Sequence, residues 1–441
     1  MSVVRDLARF VVQASAASLP QAERASQRRH VADTFIAALA GSRTTEGRAL
    51  RALLPQQSVA DAIGMQAAVI RHTEIDDIHT RSCTTPSSVT VPCALALARA
   101  GGTADPGEVA SAIWVGTELM TRLGAAVNGA RILYRGLWPT YFTAPLGAAA
   151  IAARMGHLDE TQTAHALSLA LMLSAGRSGR FHGKIPGRSV ILAMAVANGV
   201  RAAEAAKSGV GGDPDLLDGP WLRDAQGLEA DVGKLTGGLG QESCYAQMSL
   251  KPFCTAKQAL ASVEAFMTLL DGGIAPDAIT KVRVSVPPPY ARMIATKPEA
   301  GARSSTFVSA AFQMGLAAYR RERLYDIERA DAISETAALR LSEKVEIAAD
   351  ESLSAAFPAA YPAVVEVTAG TTVKSVRVDA ALGDPARPLD DAAVTQKAQR
   401  VFAQIGEPRS AADQVALGLN ALDDKTACAK LADALWEACK G

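Results

Sequence analysis

The period of the hydrophobic pattern changes twice along this chain, and that change limits the folds open to it more than any motif does. From Val4 to Ala153 apolar residues recur mostly at spacings of three and four, in blocks such as Leu7 to Val12, His30 to Leu39 and Val59 to Ile70, broken by Pro20, Pro55 and Pro106. Such spacing puts the apolar side chains on one face of a helix. After Gly272 the texture alters. Ile279 to Pro287, Val345 to Ile347, Ala363 to Thr368 and Thr372 to Val378 alternate at period two, and Ala369-Gly370 joins the last pair as an antiparallel hairpin. From Asp391 the pattern is helical again, through Val401, Val415 to Leu422 and Ala427 to Trp436. At 441 residues the chain exceeds what one core usually serves. The reading is a mainly α protein with a helical part over 1–256, a smaller α+β domain with an antiparallel sheet at 257–390, and a helical return over 391–441. Strand and helix do not alternate regularly, which disfavours a parallel sheet.

Charge narrows the function classes. The net charge is zero, with both signs interspersed, and no basic stripe carries interleaved aromatics. That excludes nucleic acid and an anionic membrane as expected partners and leaves a small uncharged or anionic metabolite. The six cysteines, Cys83, Cys93, Cys244, Cys254, Cys428 and Cys439, include no CxxC pair, so neither a zinc site nor a disulfide framework is expected. Arg5, Asp6 and Arg9 come too early for a signal-peptide core, and a soluble, cytoplasmic protein is the expectation.

Two polar stretches interrupt the helical pattern. Glu74 to Ser88 packs carboxylates, an imidazole, a guanidinium and hydroxyls into fifteen residues, then runs into the apolar Val89 to Ala100. Asp76 and Asp77 are adjacent, so in extended chain only one can face a given pocket. Either could be a base if burial or a second carboxylate raised it from roughly 3.9, and either could instead cap the following turn. His79 lies nearer the working range but as a lone histidine could simply be packed. The second stretch, Ser174 to Ser189, holds four glycines, three arginines, Lys184 and His182. Arg81, Lys184, Arg188 and Lys251 are cations beside helix breaks, and if they converge they make a carboxylate receptor. Neither GxGxxG after a strand nor GxxxxGK[ST] is present, nor HExxH or GxSxG, so neither a nucleotide nor a metal is expected. Ser87 and Ser88 read as helix-start residues, and Asp159 as the N-cap of a helix over Ala164 to Leu173.

Together these motifs resemble the MmgE/PrpD family, which includes 2-methylcitrate dehydratase, cis-aconitate decarboxylase and iminodisuccinate epimerase. The resemblance rests on the acidic pair with a nine-residue step to Pro86, Ser87-Ser88 and Val91-Pro92, and on Gly136 to Thr140 ahead of Pro145 to Ala149. It continues through Asn198-Gly199 before Gly209 to Gly212, Leu250 to Phe253, and Val308 to Ala317. It implies a large all-helical domain built from both chain ends, a smaller α+β domain inserted between, and a homodimer. It also implies action on a small di- or tricarboxylate, without metal or cofactor, by removal of a proton next to a carboxylate.

Against the family pattern, Thr85 and Trp138 stand where histidines are usual, Phe312 where a tyrosine is, and Arg188 where a lysine is; Lys184 replaces that lysine only if the loop is shifted. All four replacements cannot titrate near pH 7. Lys251, Asp76 and Asp77 are retained. The expectation is therefore a lyase or isomerase with a non-standard site. Asp77, His79, Tyr141, His182 or Lys184 would move protons, and Asp76, Arg81, Thr85, Trp138, Arg188, Lys251 and Phe312 would contact substrate. An epimerase of an amino-dicarboxylate, and a catalytically silent carboxylate-binding protein on the same scaffold, are the alternatives.

Overall fold

A computed structural model describes residues 2–53, 56–102, 104–174, 187–299, 302–329, 331–407 and 410–440. His182 and Lys184 lie outside the described residues. The fold is mainly α, as the three-and-four spacing implies. By internal contacts the chain forms two units: residues 2–174, 187–248 and 410–440 make one, and 249–407 the other. The second unit is thus wider at both ends than the 257–390 read from the hydrophobic texture.

The first unit contains α1 (Val3–Gln13), α2 (Gln21–Arg43), α3 (Thr45–Leu53), α4 (Val59–Arg71), α5 (Ser87–Ala100), α6 (Pro106–Ala126), α7 (Gly129–Ile132), α8 (Pro139–Met155), α9 (Glu160–Met172), α10 (Arg188–Lys207) and the single turns α11 (Trp221–Asp224) and α12 (Gly233–Thr236). Asp159 caps α9 through a reciprocal capping box with Gln162, which satisfies two backbone donors at once. Helices α4, α5, α6 and α8 are buried on nearly every side.

Close approach comes from small residues. A Cβ on Gly64 of α4 would stand 2.3 Å from the carbonyl oxygen of Ala193 in α10, and a Cβ on Gly199 of α10 would stand 2.3 Å from that of Pro145 in α8. Both glycines are therefore required, and they seat α10 between α4 and α8. That seating matters because the C-terminal end of α4 is Arg71 and the N-terminal residue of α10 is Arg188. Each is only five to seven residues from the Gly64–Ala193 contact, roughly 10 Å along a helix axis. Helix α10 is also the one described helix long and apolar enough to cross a membrane, and 61% of its apolar window is buried in this packing.

The second unit contains α13 (Lys257–Asp271), α14 (Pro288–Ile294), α15 (Arg303–Val308), α16 (Ala310–Tyr319), α17 (Thr336–Ser342) and α18 (Asp391–Gln404); α19 (Ala411–Asn420) and α20 (Lys425–Cys439) belong to the first. Two-residue strands β1 (Ile78–His79) and β2 (Met248–Ser249) precede the sheet of β3 (Ile279–Val286), β4 (Val345–Ala349), β5 (Ala363–Ala369) and β6 (Thr372–Val378). Its order is β4-β3-β5-β6. The hairpin β5–β6 pairs Val365 with Val376, and β3–β5 is antiparallel with Val284 opposite Val365. The pair β3–β4 is parallel, so the sheet is mixed, not wholly antiparallel. A parallel neighbour needs a long crossover, and α14 to α17 supply it between Val286 and Val345. Ile279, Val282, Val284, Val286, Val365 and Val367 are buried, and α13 packs on β5 and β6.

Candidate functional site

The chain after α4 turns back on the helix it has left. Glu74 has φ 59°, a left-handed conformation that costs a non-glycine residue on the order of 1–2 kcal/mol. Its return is electrostatic: Glu74 Oε2 lies 3.1 Å from the Arg71 guanidinium and Oε1 lies 3.0 Å from that of Arg188. One carboxylate thus bridges two arginines from different helices. Arg71 also meets Asp76 Oδ1 at 3.3 Å. Arg71 at the end of α4 complements the helix dipole, whereas Arg188 at the first residue of α10 opposes it and needs anions nearby. Glu74 and Glu46 provide them, and Glu46 is itself held by the Ser189 hydroxyl at 2.9 Å.

The wall of this cluster is aromatic. Trp138 precedes α8, and its indole stacks on Tyr141 with ring centroids 5.4 Å apart and planes 12° apart. The Arg188 guanidinium sits over the Trp138 ring at 5.3 Å, a cation–π arrangement. Burial by itself lowers the pKa of Arg71 and Arg188, but Asp76 and Glu74 hold Arg71, and Glu74 holds Arg188, above the ordinary arginine value. The Tyr141 phenol is pushed up by burial, only partly offset by Arg188 and Arg71, so it is a proton donor and not a base at neutral pH.

Glu74 and Asp76 share the face toward Arg71 and Tyr141; Asp77 points the other way. Asp77 Oδ2 accepts from His30 Nδ1 at 2.9 Å and from the Ser87 hydroxyl, and Oδ1 accepts from the Ser87 backbone N–H at 3.3 Å. The carboxylate caps the first turn of α5. His79 closes a tight hairpin, with its N–H donating to the Thr84 carbonyl at 2.8 Å. The Ser82 backbone N–H donates to its Nδ1 at 3.3 Å, which places the ring proton on Nε2, and the Gln247 side chain is its other partner. Burial, then Arg81, lower its pKa to about 4, so the ring is neutral near pH 7.

Thr85 is buried against Thr140, whose hydroxyl accepts its backbone N–H at 3.0 Å. Arg81 is exposed at the turn of the His79 hairpin. In the second unit Phe312 is fully buried at the start of α16, where its N–H donates to the Ser309 hydroxyl at 3.3 Å, and Lys251 is 2% exposed. The cluster therefore gathers Asp76, Trp138, Tyr141 and Arg188 from the sequence reading, adds Arg71, Glu74 and Glu46 to them, and leaves Asp77 with His30 and Ser87. Among the described residues no group of three or more His, Cys, Asp and Glu side chains could hold a metal ion.

Two family models match the chain: the MmgE/PrpD N-terminal domain over residues 5–228 and the MmgE/PrpD C-terminal domain over 253–421. The chain belongs to the MmgE/PrpD family. No curated protein matches it. The MmgE/PrpD family includes dehydratases and decarboxylases of small carboxylates. The Glu74 to Ser88 stretch and the start of α10 both lie within its N-terminal domain model. The MmgE/PrpD C-terminal model takes in the Lys251-adjacent helix α13 and the whole four-stranded sheet.

Proposed function

We propose that this MmgE/PrpD protein is an enzyme, a lyase or isomerase that removes a proton next to a carboxylate of a small di- or tricarboxylate, with no cofactor in that step. The observation that carries the reading is the pair of buried guanidiniums, Arg71 and Arg188, bridged by Glu74 beside the Tyr141 phenol. Two arginines offer bidentate donors to a substrate carboxylate and stabilise the enolate-like charge that grows as the proton leaves. Asp76, on the same face, is the base of this proposal, with Arg71 orienting one of its oxygens. Tyr141 hands a proton to the leaving group or to the opposite face of the carbon, and Trp138 with Arg188 forms the wall against which the substrate lies. Lys251 is kept from the sequence reading as a proposed carboxylate-binding residue. The active form is proposed to be a cytoplasmic homodimer.

The test is carbon-bound proton exchange in deuterated water, followed by NMR across a panel of di- and tricarboxylates. Exchange with at least one panel member is expected, falling about 10²-fold or more in Asp76→Asn, because a positioned base contributes about that much. A catalytically silent binder is favoured by one observation: Asp77 and His79, two further titratable groups of the stretch, are both engaged internally. Tight binding of a panel member with no exchange would decide for it.

A further inference from the structure

The second unit holds a buried ion pair that the proposed chemistry does not use. Lys257, at the start of α13, and Asp384 are 127 residues apart in sequence and bonded side chain to side chain, both almost wholly buried. Burial lowers the pKa of Lys257 despite Asp384, and Lys251 adds to that lowering, so the two lysines are close enough to feel each other. Glu264 and the Tyr361 ring, 6.0 Å away, complete the surroundings of the Lys257 ammonium. Desolvating such a pair costs more than it returns unless further hydrogen bonds satisfy it, so a buried pair of this kind is weak evidence for stability alone.

What the pair does hold is the backbone leading to Lys251. Asp384 Oδ1 accepts the Ser249 hydroxyl at 2.8 Å, and Oδ2 accepts the Ala381 N–H at 3.0 Å. The residue before it, Gly383, accepts the Leu250 N–H at 3.0 Å. Gly383 has φ 92°, and a Cβ there would stand 1.9 Å from the Leu250 carbonyl oxygen, so only glycine allows this approach. On the far side of Lys251, the Cys254 N–H donates to Leu324, and Arg329 donates to the Cys254 carbonyl at 3.0 Å. Residues 249 to 254 are therefore pinned on both sides of Lys251, and the upstream pin is made of charge.

We propose that Asp384, neutralised by Lys257 and carried on the Gly383 turn, is the positioning residue for Lys251. The assignment of a substrate carboxylate to Lys251 rests on the function proposed above; the positioning itself does not. Acetylation of Lys251 by acetic anhydride, followed by peptide mass spectrometry, reads the freedom of its amine directly. In folded Asp384→Asn, Lys251 acetylates about tenfold faster than in the unaltered chain, the scale of one lost charged hydrogen bond, and Asp384→Glu recovers most of the protection. Should circular dichroism show Asp384→Asn unfolded, Ser249→Ala, which removes one donor only, is expected to give roughly a threefold increase. An unchanged Lys251 rate in whichever of these variants is folded overturns the proposal. In the exchange assay Asp384→Asn raises KM with little change in kcat, and adds nothing in a Lys251→Ala background. Additive losses in that background would show Asp384 acting on the fold at large and overturn the proposal. Lys251→Ala with unchanged KM would instead remove the carboxylate role of Lys251 while the labelling result stands.

Discussion

Asp76 and Asp77 are consecutive, buried almost equally, and meet different partners just ahead of β1. Asp77 meets an imidazole, a hydroxyl and a backbone N–H at a helix start; Asp76 meets a guanidinium within a mixed cluster of two arginines, a second carboxylate and a phenol. The first set fixes two elements, α2 and α5, to the segment between them. The second brings together two guanidiniums, two carboxylates and a phenol, the groups that the proposed chemistry uses. Adjacent identical residues thus differ in what they are bonded to: Asp77 to the start of a helix, Asp76 to a guanidinium.

The sharpest way to break this comparison is to remove each carboxylate in turn. Asp77→Ala leaves the His30 ring, the Ser87 hydroxyl and the Ser87 N–H without this acceptor and is expected to cost about 3 kcal/mol or more in urea unfolding, since each buried donor left unsatisfied costs about 1–3 kcal/mol. Asp76→Asn keeps a polar partner for Arg71 and is expected to cost less than about 2 kcal/mol. Equal losses would mean that both aspartates are structural. A second probe is pH. His79 has a folded pKa of about 4 against an unfolded value of 6.5, so between those limits the unfolded chain binds the extra proton. Its contribution is intact above pH 6.5, falls as pH drops, and is lost by about pH 4, a total of about 3 kcal/mol. The slope of unfolding free energy against pH in that window should flatten in His79→Gln; if it does not, the neutral imidazole assigned to the hairpin is wrong.

Arg188→Lys sharpens the chemical side. A lysine keeps the charge but loses the planar contact with Trp138 and the fork toward Glu74, and roughly tenfold weaker binding of an exchanging carboxylate is expected by calorimetry. The smallest effect belongs to Ser189→Ala, which removes one hydrogen bond to Glu46 and should cost about 0.5–1.5 kcal/mol in the same unfolding experiment, with exchange retained.

Much of the fold was legible because hydrophobic period is a local property. The helical blocks, the β5–β6 hairpin and the Asp159 cap follow from neighbours within a few residues. The parallel β3–β4 pair was not, since a crossover of almost sixty residues leaves no local trace. In the site, the Glu74 to Ser88 stretch was visible by its polarity, and Trp138, Tyr141 and Arg188 by their motifs. Arg71 and His30 were not, for each stands at the edge of an apolar block next to another polar residue, His72 or Arg29, a pattern that also fits a surface position. Only the turn at Glu74 shows where Arg71 is spent. Lys257 and Asp384 are joined across 127 residues, and nothing in either neighbourhood announces the other.

The glycine contacts on either side of α10 bear on how readily this scaffold changes its chemistry. Because Gly64 and Gly199 lock the helix by backbone contact, the register of α10 against α4 and α8 does not depend on the side chains at its tip. A new residue at position 188 inherits an address already specified by the neighbouring helices. Divergence among such proteins can therefore proceed by exchanging what stands at the helix ends while the bundle beneath stays as it is.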